Sequence, residues 1–294
     1  MDFRAIAMGV AFALMWSSAF SAARTIVLDA PPLTALAARF LVSGILGVVI
    51  ARAMGQSWRL TPAQWRATLI FGFLQNGAYL GLNFIAMQRI EASLAAIIAS
   101  SLPLFVALAD RVFRGARTGL LGLAGLAAGF AGVLVIMIPR LAGGADGLGI
   151  VLSVIGVIAL AGATMTLRGA SAGGGNLLMV VGLQLLVGAV IVGIPAAIFE
   201  PFEVAHSPKL WLNFLYVALF PGLLATWVWF ALVGRIGTTR AATFHFLNPG
   251  FGVAIASVFL GERLGAGDVL GTLIVAAGIL AVQLARSRAG TRPG

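Results

Sequence analysis

The chain has 294 residues, 61% of them hydrophobic and 10% charged, with a mean hydropathy of +1.06. Soluble domains carry about 25% charged residues, so ordinary soluble and disordered classes are excluded. Collagen-like and disulfide-stapled scaffolds are excluded by 38 glycines without a triplet period and by the absence of cysteine, which also removes thiolate metal sites and thiol nucleophiles. What remains is a polytopic membrane protein with about 20 apolar residues per span.

Apolar runs separated by Pro, Gly or charge clusters predict ten helices, at about residues 5–23, 33–51, 67–88, 92–110, 118–139, 148–167, 177–198, 210–233, 241–260 and 266–285. The first run opens after Arg4 and continues to Ala23 without a small-residue cleavage pattern, so it is expected to be a retained helix rather than a signal peptide. Among the breaks are Asp29-Ala30-Pro31-Pro32, Arg114-Gly115-Ala116-Arg117 and the Gly-rich linker from Ser171 to Gly175. Loops this short leave no room for a separate soluble domain.

The net charge of +10 comes from 19 basic and 9 acidic residues. In a soluble chain such a balance would suggest nucleic acid. Here the arginines lie almost entirely between apolar runs, which is the pattern of a topology signal. With the amino terminus inside, thirteen basic residues fall on the cytoplasmic side, among them Arg52, Arg59, Arg66, Arg111, Arg114 and Arg117. Five fall outside: Arg24, Arg89, Arg140, Lys209 and Arg263. The expectation is therefore a multi-pass protein with both termini cytoplasmic, embedded in the lipid bilayer, with no nucleic-acid partner.

An internal repeat follows from sliding residues 84–134 onto 230–280, an offset of 146 with 16 identities in 51 positions and no gap. The pairs include Phe84/Phe230, Arg89/Arg235, Pro103/Pro249, Phe105/Phe251, Gly115/Gly261, Gly125/Gly271 and Gly132/Gly278. Five helices separate equivalent positions, and five is odd, so the halves cross the membrane in opposite directions. The expected organisation is a first five-helix repeat over residues 1–139, a second over 148–286, and a cytoplasmic tail over 287–294.

The second half carries Pro249-Gly-Phe-Gly-Val, then Phe259-Leu-Gly-Glu262-Arg, then Gly271 to Gly278. With Trp16-Ser17-Ser18 and Arg39-Phe40, these residues resemble the EamA-type halves of the drug/metabolite transporter superfamily. Within it the chain is similar to the YddG-type exporters of aromatic and other neutral amino acids. The resemblance implies an all-α bundle of ten transmembrane helices, two inverted repeats around a central cavity, and alternating access. The first half departs from the pattern, because Ala116 stands where the second has Glu262. If that glutamate locks a turn, only one half has the lock.

Several polar and aromatic residues within the spans are candidates for substrate contact. Gln75, Tyr79 and Asn83 share one face of the third helix at i, i+4, i+8, beside Asn76. Interhelical hydrogen bonding is the alternative use of such residues. In the ninth helix His245 and Asn248 precede Pro249; His245 either contacts substrate or bonds a carbonyl freed by the proline. Trp16 is a candidate within the first helix, whereas Trp227 and Trp229 are assigned to the interfacial belt. Ser100 enters as the residue three before Pro103. Pro103 and Pro249, each near the middle of a helix, are symmetry-related hinges or static kinks. Arg39 either holds a substrate carboxylate, snorkels to the outer surface or pairs with a helix end. The glycine stripes at 122, 125, 129 and 132 and at 267, 271 and 278 are expected to serve helix packing, with a homodimer face as a second use. Gly169-Ala-Ser171-Ala-Gly173 fits a nucleophile-elbow pattern but lies in a Gly-rich loop rather than after a strand.

No acidic residue sits mid-span, no metal-ligand cluster is evident and no cofactor is called for. The expected function is secondary transport of small metabolites, foremost export of neutral or aromatic amino acids across a prokaryotic inner membrane. A broad drug or nucleotide-sugar carrier of the same fold is the main alternative; an intramembrane enzyme and a passive channel are the others.

Overall fold

The computed structural model describes residues 3–115, 119–166, 176–236, 241 and 243–290. No strand occurs among these residues, and each of the ten predicted segments falls on one helix. The helices are α1 (Phe3–Asp29), α2 (Pro32–Ala53), α3 (Pro62–Ala86), α4 (Ala92–Phe113), α5 (Leu120–Ala142), α6 (Gly147–Thr166), α7 (Leu177–Phe199), α8 (Pro208–Ile236), α9 (Phe244–Leu260) and α10 (Ala266–Gly290). Among the described residues nine are long and apolar enough to cross a membrane; α9 is the shorter tenth.

Of the boundaries that differ from expectation, two have identifiable reasons. α1 does not stop at Ala23 but runs to Asp29, because the Arg24 guanidinium is accommodated by the carbonyl of Met87. α3 begins at Pro62 rather than near residue 67, behind a capping box in which Thr61 and Gln64 satisfy each other's backbone N–H groups.

Two helices change their winding. α3 is π-helical over Gly72–Leu80 and α8 over Ala218–Leu224. The two starts are 146 residues apart, the offset of the sequence repeat. Pro221 inside the second segment cannot donate to the ladder, and π winding is one way a helix absorbs such a defect. A second symmetric pair lies at the prolines. α4 consists of Ala92–Ser100 and Leu102–Arg114 joined at Ser101, and Pro103 sits in the first turn of the second piece. In α9 a 3₁₀ turn, Thr243–Leu247, leads into Asn248–Leu260, again with the proline in the first turn. The prolines thus open new helical pieces, where the missing N–H costs least, instead of kinking one continuous helix. Both pieces end on a left-handed glycine, Gly115 (φ 62°) and Gly261 (φ 67°).

Close contacts divide the chain into two compact units that both draw on each half of the sequence. One comprises residues 1–21, 90–147 and 228–294; the other comprises 22–89 and 148–227. In the first unit α5 packs on α10 backbone to backbone. A Cβ on Gly278 would lie 2.6 Å from the Gly129 Cα and 2.7 Å from the Gly125 carbonyl oxygen, and one on Gly132 would lie 2.9 Å from the Gly271 oxygen. The repeat exchanges the contact 125–278 for 271–132, so this pair has internal two-fold symmetry. The glycine stripes are therefore occupied by packing within the chain. Arg140 on α5 clasps Asp268 on α10 through two bonds of 3.0 Å and also pairs with Glu91.

In the second unit α2 packs on α7 in the same manner, with a Cβ on Gly182 only 2.7 Å from the Val48 nitrogen. The two helices cap each other. Glu200, just past α7, accepts from the backbone N–H groups of Leu33 (2.8 Å) and Thr34 (2.7 Å) at the start of α2. Gln56, just past α2, accepts from the N–H of Met179 at the start of α7, 3.0 Å away. In the first unit Glu262, just past α9, accepts from Ala92 (2.8 Å) and Ser93 (3.0 Å) at the start of α4. Every residue of Ala92–Ser100 is buried behind this cap. Ala116, the counterpart of Glu262, lies outside the described residues, as does the segment 169–173.

Two stability outcomes follow. Replacing Gly278 by Val should cost about 1–3 kcal/mol through forced separation of α5 and α10, read as a fall of several degrees in the melting temperature of the detergent-purified protein. Gly234→Ala, where a Cβ meets open space, should leave that temperature unchanged. Glu262→Ala should remove both N-terminal acceptors of α4 and cost about 1–2 kcal/mol, measured by the same melt.

Candidate functional site

Each unit holds one cluster of unusual polar and aromatic residues. In the first unit the cluster forms where α9 breaks. Pro249 cannot bond back toward residue 245, and the preceding Thr243–Leu247 is rich in aromatic residues that favour helix weakly, so the turn tightens to 3₁₀. That winding brings His245 and Asn248 together: the Asn248 amide nitrogen lies 2.9 Å from His245 Nδ1. In this arrangement Nδ1 accepts and the imidazole proton resides on Nε2. The Asn248 carbonyl oxygen accepts from the Ser17 hydroxyl of α1 at 3.2 Å. The Asn248 side-chain oxygen is buried with no hydrogen-bond partner.

Aromatic rings enclose the histidine. Trp229 lies 5.0 Å from it, Phe12 5.5 Å and Trp16 6.4 Å between centroids, all at steep interplanar angles. Phe12 in turn contacts Trp229 at 4.7 Å and Trp16 at 5.8 Å. Trp16, His245 and Asn248, predicted as candidates, are thus brought together. Ser100, in the same unit, returns its hydroxyl to the Ala96 carbonyl at 2.6 Å, and Ser101 does likewise to Ile98 at 2.5 Å, which supports the break in α4. Trp229 packs inside this cluster, while Trp227, 47% exposed, points away. Two residues along a helix turn through about 200°, so one tryptophan of the pair had to face inward. Phe12 carries no comparable sequence signal among 19 phenylalanines.

In the second unit the cluster forms around the two π segments. Asn76, buried, donates from its amide to the Gln184 carbonyl of α7 at 2.8 Å, and its side chain fills the space left by Gly188. It stitches two helices together. Tyr79 is fully buried one turn later, and Asn83 donates to the Tyr79 carbonyl at 3.0 Å. Gln75 is half-buried in the same segment. Across the repeat, Ser43 of α2 donates to the Ala218 carbonyl at the start of the other π segment, 2.8 Å away. Arg39, one turn before Ser43, is buried rather than snorkelled to the surface. Among the described residues no group of His, Cys, Asp or Glu is arranged to hold a metal ion.

The uncharacterized inner membrane transporter YedA of Escherichia coli (strain K12) is 26% identical over 95% of this chain and 90% of its own. A probable amino-acid metabolite efflux pump of Salmonella typhimurium (strain LT2) is 38% identical over 68 residues, 23% of each chain. A solved crystal structure has the same fold, with a TM-score of 0.72 at 19% identity, covering 98% of this chain and 99% of that one. Two tandem matches, over residues 3–138 and 147–284, meet at the junction of the sequence repeat, and by them the chain belongs to the EamA-like transporter family.

Proposed function

We propose that this multi-pass membrane transporter exports small metabolites, foremost neutral and aromatic amino acids, by alternating access. The observation that carries the reading is the enclosure of His245 by Phe12, Trp16 and Trp229 beside the unmet side-chain oxygen of Asn248. Flat aromatic walls suit an aromatic or large apolar side chain, and a buried acceptor without a donor suits an N–H group. Similarity to a probable amino-acid metabolite efflux pump over part of the chain supports the same class. The excess of arginine in the loops supports a prokaryotic inner membrane with both termini cytoplasmic. Motion is assigned to the breaks at Pro103 and Pro249, where the helices are already in two pieces. Glu262 clamps the piece before Pro103, and a 3₁₀ turn over Thr243–Leu247 leads up to Pro249.

The test is counterflow into proteoliposomes preloaded with unlabelled amino acids, without an imposed ion gradient. The expected result is saturable exchange that prefers aromatic and large neutral amino acids, with Trp16→Ala lowering affinity for aromatic substrates by up to about tenfold. Absence of exchange across the panel, in protein shown to be folded, would overturn the amino-acid reading and leave a carrier of another solute class.

A further inference from the structure

Among the described residues of the second unit, Arg39 is the one buried titratable group whose charge the fold leaves unanswered. Its residue is 6% exposed, and among the described residues its guanidinium has neither a salt bridge nor a hydrogen bond; the buried Nε lacks a partner altogether. Its surroundings are the ring of Phe40, 5.4 Å from Cζ, and Tyr79, with which it interacts electrostatically. Gly222 of the α8 π segment lies alongside, such that a Cβ there would sit 3.5 Å from Nη2 and 3.3 Å from the Ser43 oxygen. The described carboxylates of the unit are engaged or remote. Glu200 caps α2, Asp29 accepts from Ser207 at 3.2 Å, and Glu203 is exposed.

The internal repeat shows what is unusual here. The counterpart of Gly222 is Asn76, which fills its place against α7 and closes it with a hydrogen bond to Gln184. At Gly222 that place is taken by the Val217 carbonyl oxygen, 2.9 Å from where a Cβ would sit, with the Ser43 hydroxyl and the Arg39 guanidinium beside it. A buried charge without a partner is strongly unfavourable, and arginine cannot relieve the cost by losing its proton. Intramembrane charges of this kind are retained where a ligand supplies the opposite charge. The planar fork of N–H donors matches a carboxylate through two parallel bonds.

We propose that Arg39 is the carboxylate anchor of this transporter, taking the carboxylate of the transported molecule beside Tyr79. In its amino-acid form the inference rests on the proposed function above; recognition of a carboxylate as such stands on Arg39. The test uses the purified full-length protein and four matched ligands: phenylalanine, phenylalaninamide, 3-phenylpropanoate and phenethylamine. Affinity is read by calorimetric titration, and folding by the ligand-free melting temperature. Wild type should bind the two carboxylates about 10- to 100-fold more tightly than the amide and amine. Arg39→Gln should abolish that preference, Arg39→Lys should retain part of it, and the ligand-free melting temperature of Arg39→Gln should hold or rise, because an unpaired buried charge has been removed.

If wild type binds 3-phenylpropanoate but not phenylalanine, the amino-acid reading fails and the anchor stands. If Arg39→Gln keeps the acid-over-amide preference, the anchor fails and the amino-acid reading stands. Wild type that binds neither carboxylate, or an Arg39→Gln protein that loses its fold while Arg39→Lys binds as wild type binds the amide, would overturn the proposal.

Discussion

In the hydrocarbon interior of a membrane no water is present to satisfy a stray backbone group, so every N–H and C=O must find its partner within the protein. Straight α-helix meets that requirement by itself, and most of this chain uses it. The places where helix winding changes are therefore the places where side chains must step in, and they do. Ser43 donates to the carbonyl that opens the α8 π segment, Asn76 leaves the α3 π segment to satisfy α7, and Ser17 reaches the carbonyl of Asn248 at the break in α9. Ser100 and Ser101 serve the matching break in α4. Five polar side chains within apolar helices are thus explained by the backbone they support.

The second organising feature is the close approach of equivalent helices. α5 meets α10, and α2 meets α7, through glycines whose backbones nearly touch. Apolar side chains gain little from leaving lipid for protein, so close van der Waals contact between small residues is what holds such pairs. The glycine contacts of α5 and α10 exchange with one another under the repeat, so both sides of a single seam are built from equivalent residues. Reciprocal capping of α2 and α7 by Glu200 and Gln56 extends the same exchange to the helix ends.

The two halves stop matching in chemistry at several positions within the helices. Asn76 and Gly222, Glu262 and Ala116, and Arg39 and Leu185 are equivalent positions with different chemistry. A perfectly symmetric scaffold would offer two identical half-sites and no polarity for a directional substrate with distinct ends. The α4 piece ahead of Pro103 is a buried helix clamped by a carboxylate, and the residues leading to Pro249, Thr243–Leu247, form a 3₁₀ turn carrying His245 among aromatic rings. The local winding that weakens the helix is also what presents the histidine and asparagine to one another.

From the sequence by itself came the membrane class, the ten helices, the inverted repeat and the pairing of Pro103 with Pro249, because hydropathy, breaker residues and a fixed offset are one-dimensional signals. Residues whose type alone is costly in lipid, such as His245, Asn76 and Arg39, also stood out. Tertiary structure decided what each of them does. The sequence could not separate Asn76, which bonds a neighbouring helix, from Asn248, whose oxygen is left unmet, because both are amides in apolar runs and only the facing helix supplies or withholds a partner. It placed Trp229 at the membrane edge, since depth along a helix says nothing of which face meets α1. It placed the prolines mid-helix as hinges or static kinks, since a proline in mid-run does not reveal that the chain restarts its helix one residue earlier. It did not show the π winding of α3 either, where glycines at 72 and 77 pack against Val187 and Ile191 of α7, a contact between residues more than a hundred positions apart.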